Sequence, residues 1–100
     1  MGKKGNREKD LARWYEKLVS TRRGGHHRGG PGEPDYVRGR DQGEVKYWSR
    51  PMSKFDVMRE VKKGRTEIVS REGFTRQAID YVERYRKGRV RLYHRGKRVV

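Results

Sequence analysis

Apolar residues recur at intervals of three and four over residues 7–19, where Leu11, Ala12, Tyr15, Leu18 and Val19 make one stripe and Trp14 flanks it. That spacing predicts an amphipathic helix. Residues 1–6 ahead of it read as a flexible basic lead. Behind it, residues 21–32 include RRGGHHRGGPG with no apolar position, which predicts a mobile loop that orders on a ligand. Two short strands are expected at 35–37 and 43–48, joined by a Gly-containing turn over 38–42. Pro51 breaks that run. Ser53 and Asp56 then form a capping-box pair, with Met52 and Val57 as its hydrophobic staple. Phe55, Met58 and Val61 are the expected buried side of this second helix, and Gly64 suits its end. Residues 66–70 (TEIVS) read as a strand. Thr75 caps a third helix whose stripe is Ala78, Ile79, Val82 and Tyr85, with Gly88 as its stop. Residues 90–94 alternate as a final strand, which the KRVV tail is placed to extend.

The order is therefore α-β-β-α-β-α-β. It predicts an α/β fold: one small domain over 7–95 with a mixed β-sheet flanked by helices, followed by a basic tail at 96–100. A strand, helix and strand over 66–94 make a βαβ crossover, which implies parallel pairing.

Composition narrows the function. Of 100 residues only 30% are hydrophobic and 41% are charged, so the core is thin and a dimer interface is a natural way to enlarge it. Lys and Arg number 28 against 13 Asp and Glu, a net charge of +15. Such an excess points to a polyanionic partner, nucleic acid first. No apolar run approaches membrane-spanning length and no signal-peptide core or lipidation motif is visible. The expectation is a cytoplasmic protein, nucleoid-associated or in a viral host's cytosol. The chain has no cysteine, which excludes disulfides, thiol nucleophiles and thiolate zinc sites.

Candidate chemistry concentrates in GEPDYVRGRDQGEVK, residues 32–46. Strand residues two apart share a face, so Glu44 and Lys46 project together while Val45 points to the core. If the turn centres near Gly39 and Arg40, Asp35 falls opposite Glu44, with Cβ atoms about 5.5 Å apart. Two carboxylates so placed can share a hard divalent cation such as Mg²⁺, with Mn²⁺ as a substitute. A bound cation acidifies water and polarises a phosphoryl oxygen, and Lys46 is placed to orient the water or neutralise charge. Glu8, from the first helix, is the candidate accessory acid. Clustered acids on a surface built for polyanions cost affinity unless a cation sits between them. Arg22, Arg23, His26, His27 and Arg28 in the Gly-rich loop, with Arg38, Arg40 and Arg50, are the candidate nucleic-acid contacts, bonding the backbone without reading sequence. Trp48 shares the face of Glu44 and Lys46 and is a candidate DNA neighbour, whereas Trp14 and Tyr47 are expected in the core.

With these motifs in order, the chain resembles the PD-(D/E)-x-K nuclease superfamily, in particular small archaeal-type Holliday junction resolvases and methylated-DNA restriction endonuclease domains. Four features carry the resemblance: Glu8 with Leu11, Ala12 and Tyr15; the basic Gly-rich loop; Pro34-Asp35 followed by Glu44-Val45-Lys46; and EIVSREGFTRQAIDYVERY, residues 67–85. The resemblance implies a restriction-endonuclease-like sheet, Mg²⁺-dependent DNA cleavage and a homodimer. It makes Asp35 and Glu44 metal ligands, Lys46 the catalytic lysine and Glu8 the accessory acid. The strand that this family places after its first helix has no visible counterpart here. A second reading also fits the residues: a non-catalytic basic nucleic-acid-binding protein in which Asp35 and Glu44 are ordinary surface acids.

Overall fold

Local capping fixes the second half of the chain. In the computed structural model, which describes residues 2–28, 30 and 32–100 and side chains from Lys9 onward except those at 29 and 31, α2 spans Lys54–Lys62 and α3 spans Arg76–Tyr85. Ser53 Oγ accepts from the Asp56 N–H at 3.2 Å and the Asp56 carboxylate accepts from the Ser53 N–H at 2.9 Å, the expected capping box. Thr75 Oγ1 accepts from the Ala78 N–H at 3.2 Å.

Six strands form one sheet in chain order: β1 (His26–His27), β2 (Tyr36–Arg38), β3 (Asp41–Lys46), β4 (Glu67–Ser70), β5 (Arg91–His94) and β6 (Lys97–Arg98). The pairs β1–β2, β2–β3 and β5–β6 are antiparallel, while β3–β4 and β4–β5 are parallel. Helix α2 connects the first parallel pair and α3 the second, so the expected βαβ unit occurs twice. Helix α1 (Gly2–Arg22) lies across the other side of the sheet. The fold is α/β, a single domain with a mixed sheet flanked by helices.

Period-two alternation divides the core in two. Ile68 and Leu92 face α2 and α3 and pack with Met52, Val57, Ala78, Val82 and Val90. Val45, Val69 and Tyr93 point the other way, with Tyr36, and receive Tyr15 and Val19 of α1. Burying each such aliphatic side chain contributes about 1.5–3 kcal/mol.

Several expectations are corrected. Helix α1 begins at Gly2 rather than residue 7, so residues 2–6 of the basic lead are its first turns. Thr21 and Arg22 finish that helix, and His26 and His27 pair with Val37 and Tyr36. The loop expected at 21–32 thus contains the strand that the sequence hid; Gly29 and Pro31 lie outside the described residues. The tail does not extend the last strand. Arg95 and Gly96, with φ of 51° and 80°, make a primed two-residue turn, and Lys97 folds back onto His94. In α2 the buried residues are Asp56, Val57 and Glu60, with Val61 half-buried, whereas Phe55 is 71% exposed and Met58 37%. The Met52–Val57 staple sets the helix's rotation, and positions 55 and 58 then turn outward. Tyr85 and Trp14, expected in the core, are also exposed.

Candidate functional site

The β2–β3 hairpin turns at Gly39 and Arg40, with Tyr36 opposite Gly43 and Arg38 opposite Asp41. One further step of that register sets Asp35 against Glu44, and the Asp35 N–H extends the ladder by donating to the Gly43 carbonyl at 2.8 Å. Asp35 Oδ2 accepts from the Val45 N–H at 2.8 Å. Alternation on β3 turns Glu44 and Lys46 to one face. Glu44 Oε2 lies 3.0 Å from Lys46 Nζ, and Glu44 Oε1 lies 3.2 Å from Arg65 Nε. Lys46 is also 3.8 Å from Glu60 of α2. Asp35, Glu44 and Lys46 line an open cavity of about 260 Å³ with Ala12 and Glu16 of α1 and Trp48.

Burial first, then the Glu44 charge and to a smaller degree Glu16, pushes the Asp35 carboxyl well above the ordinary carboxylate range, although the Val45 N–H opposes this. For Lys46, burial favours the neutral amine, but Glu44, Glu60 and Asp35 outweigh it and raise the ammonium's pKa. The donor set offers two adjacent hard carboxylates. That fits Mg²⁺, which is held by one or two carboxylates and keeps several waters. Among the described residues, no group of three or more His, Asp or Glu side chains is arranged to hold a metal.

Three groups at this site escaped sequence reasoning. Glu16 supplies the α1 acid near Asp35, and its Oε1 lies 3.5 Å from His27 Nε2. Glu8, the acid expected there, shares the helical face of Ala12 and Glu16 but sits about 12 Å further along the axis than Glu16, and its side chain lies outside those described. The repeat of acids at i and i+8 carried the signal for the face, not for the turn. Arg65 is 5% exposed; besides Glu44 it donates to Gln42 Oε1 and to the carbonyls of Lys63 and Gly32. Glu60 occupies a buried position of α2 that would ordinarily be apolar.

The expected nucleic-acid residues divide. Arg22, His26, Arg28 and Arg40 are exposed. Arg50 stacks on Trp48 at 4.3 Å and pairs with Asp56 at 2.8 Å. Arg23 and Arg38 instead bind the buried Glu67, although the Arg38 side chain stays 37% exposed. Trp48, besides lining the site, packs against the core. No described helix is long and apolar enough to cross a membrane.

The chain matches no known protein-family model, no curated protein and no solved structure.

Proposed function

We propose that this protein is a Mg²⁺-dependent endodeoxyribonuclease of the PD-(D/E)-x-K type, acting as a homodimer on DNA, with branched junctions as the favoured substrate. The observation that carries this reading is the meeting of Asp35, Glu44 and Lys46 at one open cavity, on a chain of net charge +15. Asp35 and Glu44 are the residues to hold the cation, which when bound would polarise the scissile phosphate and acidify a water. Lys46 sets a positive charge beside those carboxylates, where it can stabilise the negative charge that develops on the phosphate. Arg65 fixes Glu44 from the buried side. Glu16 adds a third acid from α1, in position to orient a water. The surrounding Arg and Lys side chains draw the DNA backbone in without reading its sequence. The exposed Phe55, Met58 and Tyr85 support a partner copy as an enlargement of a thin core.

Labelled four-way junctions and linear duplex, incubated with and without Mg²⁺, test the proposal. Cleavage is expected with Mg²⁺ alone, and Asp35→Asn, Glu44→Gln and Lys46→Ala should each lower it about a hundredfold or more, the scale of losing one charge-stabilising group. Normal cutting by these variants would sink the assignment.

One observation favours the non-catalytic reading: both Glu44 oxygens are engaged by cations of the chain itself. A pure binding protein would hold DNA in a salt-sensitive, Mg²⁺-indifferent way, and Glu44→Gln would change nothing.

A further inference from the structure

A second cavity, larger than the one lined by Asp35 and Glu44, lies on the α1 side of the sheet. It is a groove of about 710 Å³ between α1 and the sheet, walled by Trp14, Tyr47 and Tyr93 and edged by Arg22, Arg71 and Arg95. Its volume falls within the range of about 300–1,000 Å³ typical of small-ligand sites. Its position follows from topology. Tyr47, Arg71 and Arg95 directly follow β3, β4 and β5, so the groove opens at the carboxyl ends of the three parallel-paired strands, where open α/β sheets take ligands. Tyr47 is also a wall of the carboxylate cavity.

The lining has a definite chemistry. Guanidinium groups already stack on two of the rings, Arg71 over Tyr47 at 4.2 Å and Arg23 over Tyr93 at 3.8 Å. Tyr15 meets Tyr47 with centroids 5.2 Å apart. Trp14 is 57% exposed and presents an indole with no aromatic neighbour among the described residues. One carboxylate, Glu72, faces this edge and pairs with Arg71 at 3.1 Å and Arg95 at 3.9 Å. Flat aromatic surface rimmed by guanidinium suits a ligand with a planar ring and an attached anion. Paired duplex DNA keeps its bases out of reach of such a groove; a strand with an unpaired nucleotide does not.

We propose that this groove binds one unpaired nucleotide of a DNA strand, its base stacked on Trp14 and its phosphates held by Arg22 and Arg95. This deepens the nuclease proposal, since it rests on DNA being the substrate. The shared Tyr47 wall sets the held nucleotide next to the candidate cleavage site, which gives a shape-reading enzyme a way to find strand openings at a junction.

Tryptophan emission isolates the event. The chain has two tryptophans, so a Trp48→Phe background reports Trp14 alone. In EDTA, a short oligothymidylate should quench this emission, and an abasic strand of equal length and charge should bind about tenfold or more weakly, the scale of lost base stacking. Trp14→Ala, read by fluorescence anisotropy of a labelled strand, should erase that preference, and Arg95→Ala should weaken both strands. Equal binding of the two strands, or an emission unmoved by oligothymidylate, overturns the proposal. Base-dependent binding without Mg²⁺-dependent cleavage defeats the nuclease reading alone. Cleavage without base-dependent binding defeats this one alone.

Discussion

Glu67 offers the sharpest test of the physical account. It is fully buried on β4 and carries a charge. Its Oε1 accepts from Tyr36 Oη at 2.6 Å and Arg23 Nε at 3.0 Å, while Oε2 binds Arg38 and lies 3.3 Å from Arg91. Burial alone would raise its pKa, but the bonds from Arg23, Tyr36 and Arg38 outweigh it and lower the carboxyl from 4.5 to about 2. At about 1.4 kcal/mol per tenfold change in proton affinity, that difference is worth about 3 kcal/mol of stability. Because the folded value is the lower one, the contribution is complete above pH 4.5 and is lost as pH falls towards about 2. Glu67→Gln keeps the shape and removes the charge, leaving an amide among guanidinium groups. The variant should lose about 3 kcal/mol at neutral pH, a fall of roughly 12–24 °C in melting temperature for a domain of this size. Thermal unfolding from neutral pH down to pH about 3 should show the gap to the native protein narrowing below the ordinary glutamate range. Glu83→Gln, an exposed change on α3, serves as the control and should stay within about 0.5 kcal/mol. A Glu67→Gln protein that melts with the control, or a gap that does not change with pH, would refute the reasoning.

Three further outcomes are expected. Gly43→Ala would set a Cβ 2.0 Å from the Tyr36 ring; urea unfolding should show a loss of about 3 kcal/mol, the upper end of ordinary overpacking. Thr75→Ala removes the cap of α3 and should lower stability by about 1 kcal/mol in the same assay. If the nuclease proposal holds, Glu16→Gln should slow Mg²⁺-dependent cleavage about 10–100-fold, as loss of an outer-shell group does, while Glu8→Gln leaves the rate unchanged in the same gel assay.

Legibility followed the range of the interaction. Ser53 with Asp56, and Thr75 with Ala78, close within one helical turn, so residue type and spacing sufficed to place both caps. The Asp35–Glu44 juxtaposition was legible because a two-residue hairpin fixes its own register. The hidden strand β1 has no apolar signal of its own. It forms where Gly25 lets the chain pass beneath the Tyr36 ring, which a Cβ would meet at 2.7 Å. Glu67 read as one more polar strand residue, because its partners Arg23, Arg38 and Arg91 come from the turn after α1, from β2 and from β5. Glu16 went unread beside Glu8 for a related reason. Both lie on one helical face, and only the docking of α1 on the sheet decides which turn meets Asp35.

A single row across the sheet explains how these long-range choices constrain one another. Tyr36, Gly43, Glu67 and Arg91 pair successively on β2, β3, β4 and β5. The Tyr36 ring lies over Gly43, where any side chain would collide, and so reaches Glu67 two strands away. That anchors β2 to β4 across β3 and holds the hairpin that carries Asp35 and Glu44. The acids of this basic chain therefore meet two different fates. Glu67 is surrounded by a hydroxyl and three guanidinium groups and has no charge left to offer. Asp35, one residue before the ring that satisfies Glu67, accepts with its carboxylate only the Val45 N–H among the described hydrogen bonds, with Glu44, Glu16 and Lys46 as charged neighbours. In a sequence with 28 basic side chains against 13 acidic ones, a carboxylate in no described ion pair, beside a Lys46 ammonium held by Glu44, is not a consequence of composition. It is a property of this cavity, and it is the feature on which the proposed divalent cation would act.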